Sequence, residues 1–511
     1  MKKITFLNIL LLLLCYSCDD FLEENPNKSG NDPILEVEQL DALLNSISLS
    51  KSAGSAWMAT FFASDDSDIR PELYKIHTSL STRVALGIWN KETYENLFSV
   101  GWESLWREMF RINTIIESAP KVNGNEVERK KVAAEAKFHR AFLHFLGVVE
   151  FCLHPSVDNG ETPGIGYRDN TNGEADLSRK TVRYTIDKII QDLTEAEVEL
   201  QEIGLNNFDI STNWRITVPA VQAFRARVEM YIAKNQDDFD KAAAYADKAL
   251  KGYNKMVNIA TDPLFSVEEK EIVGSSKFWK ELNFVKNGSN TGEYKECYFP
   301  YTVSMPSYYT EVCPVSESLY NLYSEKDLRK LKFIQNNYNY ISVNGLPFDL
   351  TAEGIKDIDA HSFYRFNHGG IAFLIGPTVS EMHLIKAEAF ARKGEAAKAI
   401  SELRILRANR FEAEDISIVN NIGGTVADVK NERRRELPFV IRWYDLKRYN
   451  QYANEQITVT KKSFDDVYNT ASSLKTYILE PQASAYALPI PEKEIRILGW
   501  KQNDYAGIVK Q

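Results

Sequence analysis

The chain has 511 residues, which is more than one hydrophobic core usually serves, so two or three lobes are expected. Hydrophobic residues make up 44% and charged residues 26%, as in a folded globular protein, and the net charge is −10. An acidic chain argues against binding to nucleic acid and against attachment to a membrane surface by charge.

The N-terminus has the pattern of a processing signal. Two lysines precede an apolar run at residues 4–14, which is too short to span a bilayer and has the length of a secretory h-region. Ser17 and Cys18 follow in the sequence CYSC, which resembles a bacterial lipoprotein cleavage site. We therefore expect residues 1–17 to be a signal peptide, Cys18 to carry acyl chains and residues 18–35 to form a polar tether. An ordinary cleaved signal with an incidental cysteine is the alternative.

Amphipathic periodicity predicts helices through much of the chain. A short helix at 40–47 and a loop-rich stretch at 50–100 come first. Pro219 occupies a position that suits the first turn of a helix. Beyond residue 100, apolar residues recur at intervals of three and four in five segments, namely 102–112, 138–149, 182–200, 219–231 and 239–250.

Residues 378–410 give the clearest prediction, a helical hairpin. Two apolar stripes at helical spacing are separated by Gly394, and small alanines on both faces allow close packing. Such a hairpin resembles a tetratricopeptide unit, which buries its apolar face by stacking on a neighbour. We therefore predict a mainly α fold, with a helical scaffold at about residues 100–255 and 376–450.

Residues 256–375 have a different character. They are rich in Tyr, Asn, Gly, Ser and Pro and show few long amphipathic periods. Because a structureless loop of that length is uncommon in a compact domain, we predict an irregular lobe with short strands and helices. Beyond the hairpin at 378–410, residues 431–450 are predicted to form a helix that Pro438 kinks. The C-terminal region is predicted to be extended through its PIP sequence and then to form a short helix.

Six segments share one combined pattern, in order over nearly the whole mature chain: CDDFLEENP after the signal, AEAKFHRAFLHF at 134–145, YTIDKIIQDLTEAE at 184–197, SEMHLIKAEAFARKG at 380–394, NERRRELPFVIRWYDLKR at 431–448 and ALPIPEKEI near the end. Together they resemble the SusD/RagB-like outer-membrane lipoproteins of Bacteroidetes, which capture nutrients at the cell surface. Pro438, Ile441 and the absence of an Asn-Pro pair near residues 497–499 depart from the family pattern, all in scaffold segments.

The resemblance implies a SusD-like fold over residues 36–511, in which four tetratricopeptide-like helix pairs support a loop-rich face. It implies a protein that captures oligo- or polysaccharide at the outer membrane without cleaving it and needs no cofactor. The implied partner is a SusC-like TonB-dependent transporter, which the lipoprotein caps as a lid. Asp19 and Asp20 resemble the acidic signal for export to the outer leaflet. A peptide-binding RagB-like protein, a glycoside hydrolase and a purely structural scaffold are the alternatives.

A glycan site without catalysis needs flat aromatic faces for sugar rings and a few polar groups for hydroxyls. The family places its binding face in the early loops at 50–100 and in the lobe at 256–375. Burial is the alternative for each aromatic residue, because aromatics also dominate cores. We predict four stacking residues and two polar partners, namely Trp89, Trp279, Tyr298, Tyr301, Asp66 and Asn290.

Other chemistry-bearing residues are expected to be structural. The sequence contains no HExxH, GxSxG or P-loop motif. His139 and His144 lie five residues apart, on different helical faces, so they are poor joint metal ligands. The charged residues at 432–448 have the spacing of ion pairs along a helix. Packing roles are predicted for Trp102, Trp106 and Trp443, and burial for Cys152, Cys297 and Cys313, of which two could instead form a disulfide.

Overall fold

In the computed structural model of the protein, the described residues are 33–46, 58–71, 81–97, 99–212, 214–271, 278–282, 295–305, 314–335, 340–343, 346–349, 363–364 and 371–511. The predictions for Cys18, Asn290 and Cys313 fall outside these ranges. Cys152 and Cys297 are buried thiols that form no disulfide with each other. Within the described ranges, no helix is both long enough and apolar enough to cross a lipid bilayer.

The fold is mainly α, as predicted. A π-helical turn at Arg448–Tyr452 directly follows the α-helix that ends at Lys447. The helices are α1 (Val37–Asn45), α2 (Met58–Ala63), α3 (Ser81–Gly87), α4 (Lys91–Leu97), α5 (Ser99–Ser118), α6 (Glu126–Phe151), α7 (Val182–Glu202), α8 (Val218–Ile232), α9 (Gln236–Gly252), α10 (Glu317–Tyr320), α11 (Leu328–Phe333), α12 (Val379–Arg392), α13 (Ala396–Arg407), α14 (Ile416–Asn420), α15 (Val426–Glu436), α16 (Val440–Lys447) and α17 (Glu492–Leu498).

Short polar side chains determine where the long helices begin. Asn125, Thr181, Asn235 and Thr378 each accept a hydrogen bond from a backbone N–H in the first turn of the helix that follows. These bonds satisfy donors that have no partner within the helix. At the end of α12, Gly394 adopts a φ of +80°, a conformation that glycine enters without steric cost. The hairpin predicted at 378–410 is therefore confirmed.

The long helices pack against one another in chain order. Helix α5 contacts α6, α6 contacts α7, α7 contacts α8 and α8 contacts α9. Helix α9 then contacts α12 directly, although more than a hundred residues separate them in sequence, and α12 contacts both α13 and α15. Alanines such as Ala226, Ala246 and Ala387 are fully buried along this stack. The two predicted halves of the scaffold thus form one continuous array.

Between α9 and α12, the residues that the structure describes form short strands and two short α-helices. The strands are β1 (Val267–Glu271), β2 (Phe278–Leu282), β3 (Thr302–Met305), β4 (Ile334–Gln335), β5 (Tyr340–Val343), β6 (Leu346–Asp349), β7 (Phe363–Tyr364), β8 (Ile371–Leu374), β9 (Val459–Phe464), β10 (Leu474–Leu479) and β11 (Ile508–Lys510). They pair antiparallel, β1 with β2, β3 with β8, β4 with β7 and β5 with β6, and a separate C-terminal sheet has the order β11-β10-β9.

One helix prediction needs correction. The segment predicted as a single kinked helix at 431–450 is instead two helices, because α15 ends at Glu436 and α16 begins at Val440. Pro438 lacks a backbone N–H and cannot continue the helical ladder. The next residue, Phe439, takes a φ of +68° and donates its N–H to Asp66 Oδ2 at 2.8 Å. The break therefore fixes an early loop as well as ending a helix.

Candidate functional site

The predicted stacking residues Trp89 and Tyr298 lie in the interior. Trp89 is 1% exposed and donates its indole N–H to the carbonyl oxygen of Ala63 at 3.2 Å. Tyr298 is fully buried, and its hydroxyl donates to the carbonyl oxygen of Tyr253 at 2.6 Å. Each polar tip already has a partner and neither ring has an exposed face, so the structure does not support a stacking role for these two residues.

Tyr301 is also a core residue. Its ring stacks on that of Phe142 with 3.9 Å between centroids and an interplanar angle of 4°. Its hydroxyl lies 2.7 Å from Nδ1 of His139, and burial lowers the pKa of that histidine to about 3. The imidazole is therefore neutral at pH 7, so its Nδ1 can accept a hydrogen bond from the Tyr301 hydroxyl. Tyr301 joins the lobe to the scaffold and is not available for a sugar.

Asp66 is fully buried in an ion-pair cluster. Its carboxylate accepts from Arg434 Nε at 2.6 Å and from the Phe439 N–H. The neighbouring Asp65 accepts two bonds from Arg442, both at 2.8 Å. Burial opposes ionisation of Asp65, but Arg442 and Arg434 outweigh it and hold the pKa of that carboxyl well below its usual range. Asp66 therefore fixes the early loop and does not face a ligand.

Trp279 is the remaining predicted aromatic residue. It lies in β2, where its backbone is paired with Lys270 of β1. The described residues thus do not bring the predicted set together as an exposed aromatic surface. The prediction for Trp279 stays a prediction, and that for Trp89, Tyr298, Tyr301 and Asp66 is corrected by their burial.

A different group of aromatic residues does line an accessible space. A cavity of about 360 Å³ opens between α5, the segment 163–180 and the C-terminal helix α17. This volume lies within the range of small-ligand pockets. The cavity is lined by Trp102, Trp106, Phe110, Arg168, Leu177, Glu494, Leu498 and Trp500.

Trp102 organises the rings around the cavity. It is 1% exposed and packs edge to face against Trp106, with centroids 5.4 Å apart at 64°, and against Trp500 at 6.1 Å and 84°. Such arrangements are favourable for aromatic rings and restrict their motion. Trp106 and Trp500 are therefore held at steep angles to the ring between them. The packing role predicted for Trp102 is confirmed, and both Trp102 and Trp106 also line the cavity.

The segment 163–180 carries the cavity's positive charge and is pinned in place. The backbone N–H of Arg168 donates to His144 Nε2 at 3.1 Å, and Asn113 Nδ2 donates to the carbonyl of Arg168 at 3.1 Å. Burial lowers the pKa of His144 to about 3, so its Nε2 can accept while Nδ1 donates to the Arg140 carbonyl. Gly166 lets the segment approach Trp500, because a Cβ there would lie 2.9 Å from the indole ring.

Sequence reasoning missed this site for a clear reason. Trp102, Trp106 and Phe110 recur every four residues, a pattern that core-facing and surface-lining helix residues share. The other walls come from residues more than 50 and more than 380 positions away in the chain. The four-residue spacing indicates one aromatic face of a helix, but it does not indicate which distant residues form the other walls of the cavity.

Stacked helical hairpins, an irregular inserted lobe and an aromatic surface cavity define a binding protein built on a tetratricopeptide-like scaffold. Two family models match the chain, one described as starch-binding associating with outer membrane over residues 20–230, and one described as the SusD family over residues 379–503. The chain belongs to the SusD/RagB-like family.

Individual relatives agree with that assignment. SusD-like proteins P38 and P2 of Formosa agariphila are each 24% identical to the chain, over 504 and 492 residues, and each match covers 88% of this chain and 91% of the relative. A SusD superfamily protein of Bacteroides thetaiotaomicron has a TM-score of 0.64 at 16% identity, covering 92% of this chain and 100% of that one. Surface glycan-binding protein A of Bacteroides uniformis has a TM-score of 0.63 at 15% identity, covering 91% and 99%. A laminarin-binding SusD-like protein has a TM-score of 0.58 at 16% identity, covering 92% and 99%.

Proposed function

We propose that this protein is a lipid-anchored glycan-binding protein of the outer-membrane surface. It captures an oligo- or polysaccharide and passes it intact to a SusC-like TonB-dependent transporter. The family match at both ends of the chain carries the proposal, because it includes both halves of the scaffold. Relatives with this fold include a surface glycan-binding protein and a laminarin-binding protein, which favours a glycan as the ligand.

Binding without cleavage is part of the proposal. Glycoside hydrolysis generally needs two carboxyl groups on either side of the scissile bond. Among the described residues that line the aromatic cavity, Glu494 is the single carboxylate. Several buried carboxylates elsewhere are bound by arginines, as Glu388 is by Arg448 at 2.7 and 2.8 Å. These pairings favour a structural use of the acidic groups over a catalytic one.

The first experiment is a binding screen of the soluble form, residues 19–511, against plant, host and microbial polysaccharides and a peptide digest. Binding to one class of polysaccharide, with no release of shorter products, is expected. Binding of peptides alone would move the protein to the RagB-like function, and product formation from a bound glycan would identify a hydrolase. Trp279→Ala, run in parallel, tests the one predicted aromatic residue whose side chain the structure leaves undescribed.

The anchor and the partner are tested in the native organism. Cys18→Ala is expected to release the protein from the membrane fraction, because the acyl chains would be lost. Cys152→Ala is the control, since that thiol is buried and its loss leaves the signal intact. After mild detergent extraction, the wild-type protein is expected to co-purify with a TonB-dependent transporter. Unchanged fractionation of Cys18→Ala, or a lone monomer after extraction, would contradict the respective parts of the proposal.

A further inference from the structure

The aromatic cavity lies apart from the lobe at 256–375, which is one of the two regions in which the family resemblance places the ligand. Its walls come from α5, from the segment 163–180 and from α17 with Trp500. None of the described residues of the 256–375 lobe contributes to the lining. The cavity is therefore a separate candidate site, and its chemistry can be considered on its own.

An aromatic row runs from the core to the surface along α5. Trp102 is 1% exposed, Trp106 is partly buried, and Phe110 is 51% exposed. Residues four apart lie on one face of a helix, so these three rings form a continuous strip. A half-exposed phenylalanine at the end of such a strip leaves an apolar face that a ligand can cover.

The shape of the cavity suits a sugar ring. Trp106 and Trp500 are both held edge to face against Trp102, which fixes them as walls in different orientations. Flat aromatic faces pack against the apolar C–H faces of sugars, while hydroxyls at the ring edge need polar partners. The volume of about 360 Å³ accommodates a short segment of glycan rather than a long chain.

Two charged side chains supply those polar partners. Arg168 and Glu494 line the cavity, and neither has an ion-pair partner within the described part of the chain. Arg168 uses one guanidinium nitrogen to donate to the Asn172 carbonyl at 3.2 Å, which leaves other donors available. A guanidinium and a carboxylate can together donate to and accept from sugar hydroxyls. Their charges cancel, so the site favours a neutral sugar over a uronic acid.

The walls are also held in place before a ligand arrives. Asn503, just beyond Trp500, donates to the carbonyls of Phe151 and Leu488 at 2.8 and 2.7 Å. Arg179 donates to the carbonyls of Gly164 and Lys501 at 2.6 and 3.1 Å, which joins the segment 163–180 to the C-terminal region. A site whose walls are already fixed loses less entropy on binding.

We infer that this cavity is a binding site for a short neutral glycan segment, distinct from the lobe at 256–375. The inference rests on the proposed glycan-binding function and adds to it a location and a ligand class. Phe110 and Trp106 provide the stacking surface, and Arg168 and Glu494 bind the hydroxyls. An apolar segment of a partner protein is the competing occupant, but it would leave both charged groups without a polar partner.

The test uses the soluble form, residues 19–511, titrated by calorimetry with oligosaccharides cut from the polysaccharide that the wild type binds. Phe110→Ala and Glu494→Gln change exposed or partly exposed positions and are expected to leave folding intact, as checked by thermal unfolding. Each is expected to weaken oligosaccharide binding about tenfold, or to lower the number bound per chain by one. Trp106→Phe should retain more affinity than Trp106→Ala, because it keeps a ring. Trp214→Ala is the matched control, a 54% exposed tryptophan outside the cavity.

The results of these titrations distinguish failure of the cavity site from failure of the proposed glycan-binding function. Wild-type binding that is unchanged in Phe110→Ala and Glu494→Gln would overturn the cavity site and leave the glycan-binding function in place. A wild type that binds no polysaccharide would overturn both. Variants that keep glycan affinity but no longer co-purify with the transporter would identify the cavity as a protein-docking surface and would also overturn the inference. A stronger response to acidic than to neutral oligosaccharides would contradict the ligand class.

Discussion

The helical scaffold and the loops attached to it are held by different forces. Helices α8, α9, α12 and α13 pack through small and aliphatic side chains such as Ala223, Ala246 and Leu403, all fully buried. The loops are attached to that scaffold largely through buried ion pairs between residues far apart in sequence. The difference shows that repetitive apolar packing builds the frame, whereas individual charged contacts position what the frame carries.

Glu432 is the centre of one such attachment. Its carboxylate accepts from Arg329 at 2.7 Å, from Arg407 at 3.0 Å and from Arg435 at 2.6 Å. A second attachment lies beside it, where Arg410 donates to Glu296 at 2.9 Å. Glu432 and Arg435 belong to α15, Arg407 to α13 and Arg329 to α11. The charged residues predicted as a ladder along one helix are therefore structural, but they connect several elements.

The largest effect in this comparison is expected from Glu432→Gln. The change removes the charge from a buried site and leaves three guanidinium groups with a weaker acceptor, which should cost about 3–5 kcal/mol of unfolding free energy. Urea unfolding, followed by circular dichroism, measures the loss. Glu414→Gln, at an exposed position, is the control and should change stability by less than about 0.5 kcal/mol. Equal losses of unfolding free energy in the two variants would show that the buried ion pairs of Glu432 stabilise the fold no more than an exposed charge does.

Stability should depend on pH in opposite ways at two buried carboxyl groups, because the pKa of Glu432 is lowered and that of the scaffold residue Glu135 is raised. Burial opposes ionisation of Glu432, but Arg329, Arg435 and Arg407 hold its pKa well below the usual range. Burial raises the pKa of Glu135 to about 7, although Arg215 donates to it at 3.0 Å. The stability that Glu432 contributes is thus present above about pH 4–5 and lost as pH falls towards its lower folded value.

Glu135 should behave in the opposite way. Its stabilising contribution is complete below its unfolded pKa of about 4.3 and is lost as pH rises through about 7, up to about 3 kcal/mol in all. For Glu432, the difference in unfolding free energy between wild type and Glu432→Gln should shrink as the pH falls from 7 to 3, because the Glu432 carboxylate becomes protonated. The stability of wild type relative to Glu135→Gln should fall between pH 4 and pH 8. Parallel pH profiles for the two variants would contradict the opposite pKa shifts of Glu432 and Glu135.

The smallest effect is expected from an exposed pair on the scaffold. Lys251 lies 2.8 Å from Asp247 on the surface of α9, with 76% of its side chain exposed. Solvent screens such a pair, so Lys251→Ala should change the unfolding free energy by less than about 0.5 kcal/mol. Thermal unfolding at low and high salt measures it. A loss comparable with that of Glu432→Gln would show that burial is not what separates the two kinds of contact.

The same contrast explains what the sequence could predict. The helices at 138–149, 182–200, 219–231 and 239–250 are all present with longer bounds, because apolar spacing encodes a helix locally. The arginine partners of Asp66 and Glu296 lie more than a hundred residues away, and no local pattern specifies them. For Trp89 and Tyr301, the sequence shows an aromatic residue in a loop-rich region but not whether it points inward. Burial depends on the assembled fold, so these site predictions failed where the helix predictions succeeded.

The direct contact between α9 and α12 has a consequence for how this chain can diversify. Within the long excursion between them, the segment 299–376 begins and ends at neighbouring points, because Val379 N–H donates to the Glu296 carbonyl at 2.8 Å and Tyr298 N–H to the Pro377 carbonyl at 3.0 Å. The stack therefore closes without the material in between. We therefore expect that exchanging residues 299–376 with those of a relative leaves the packing of α9 against α12 unchanged.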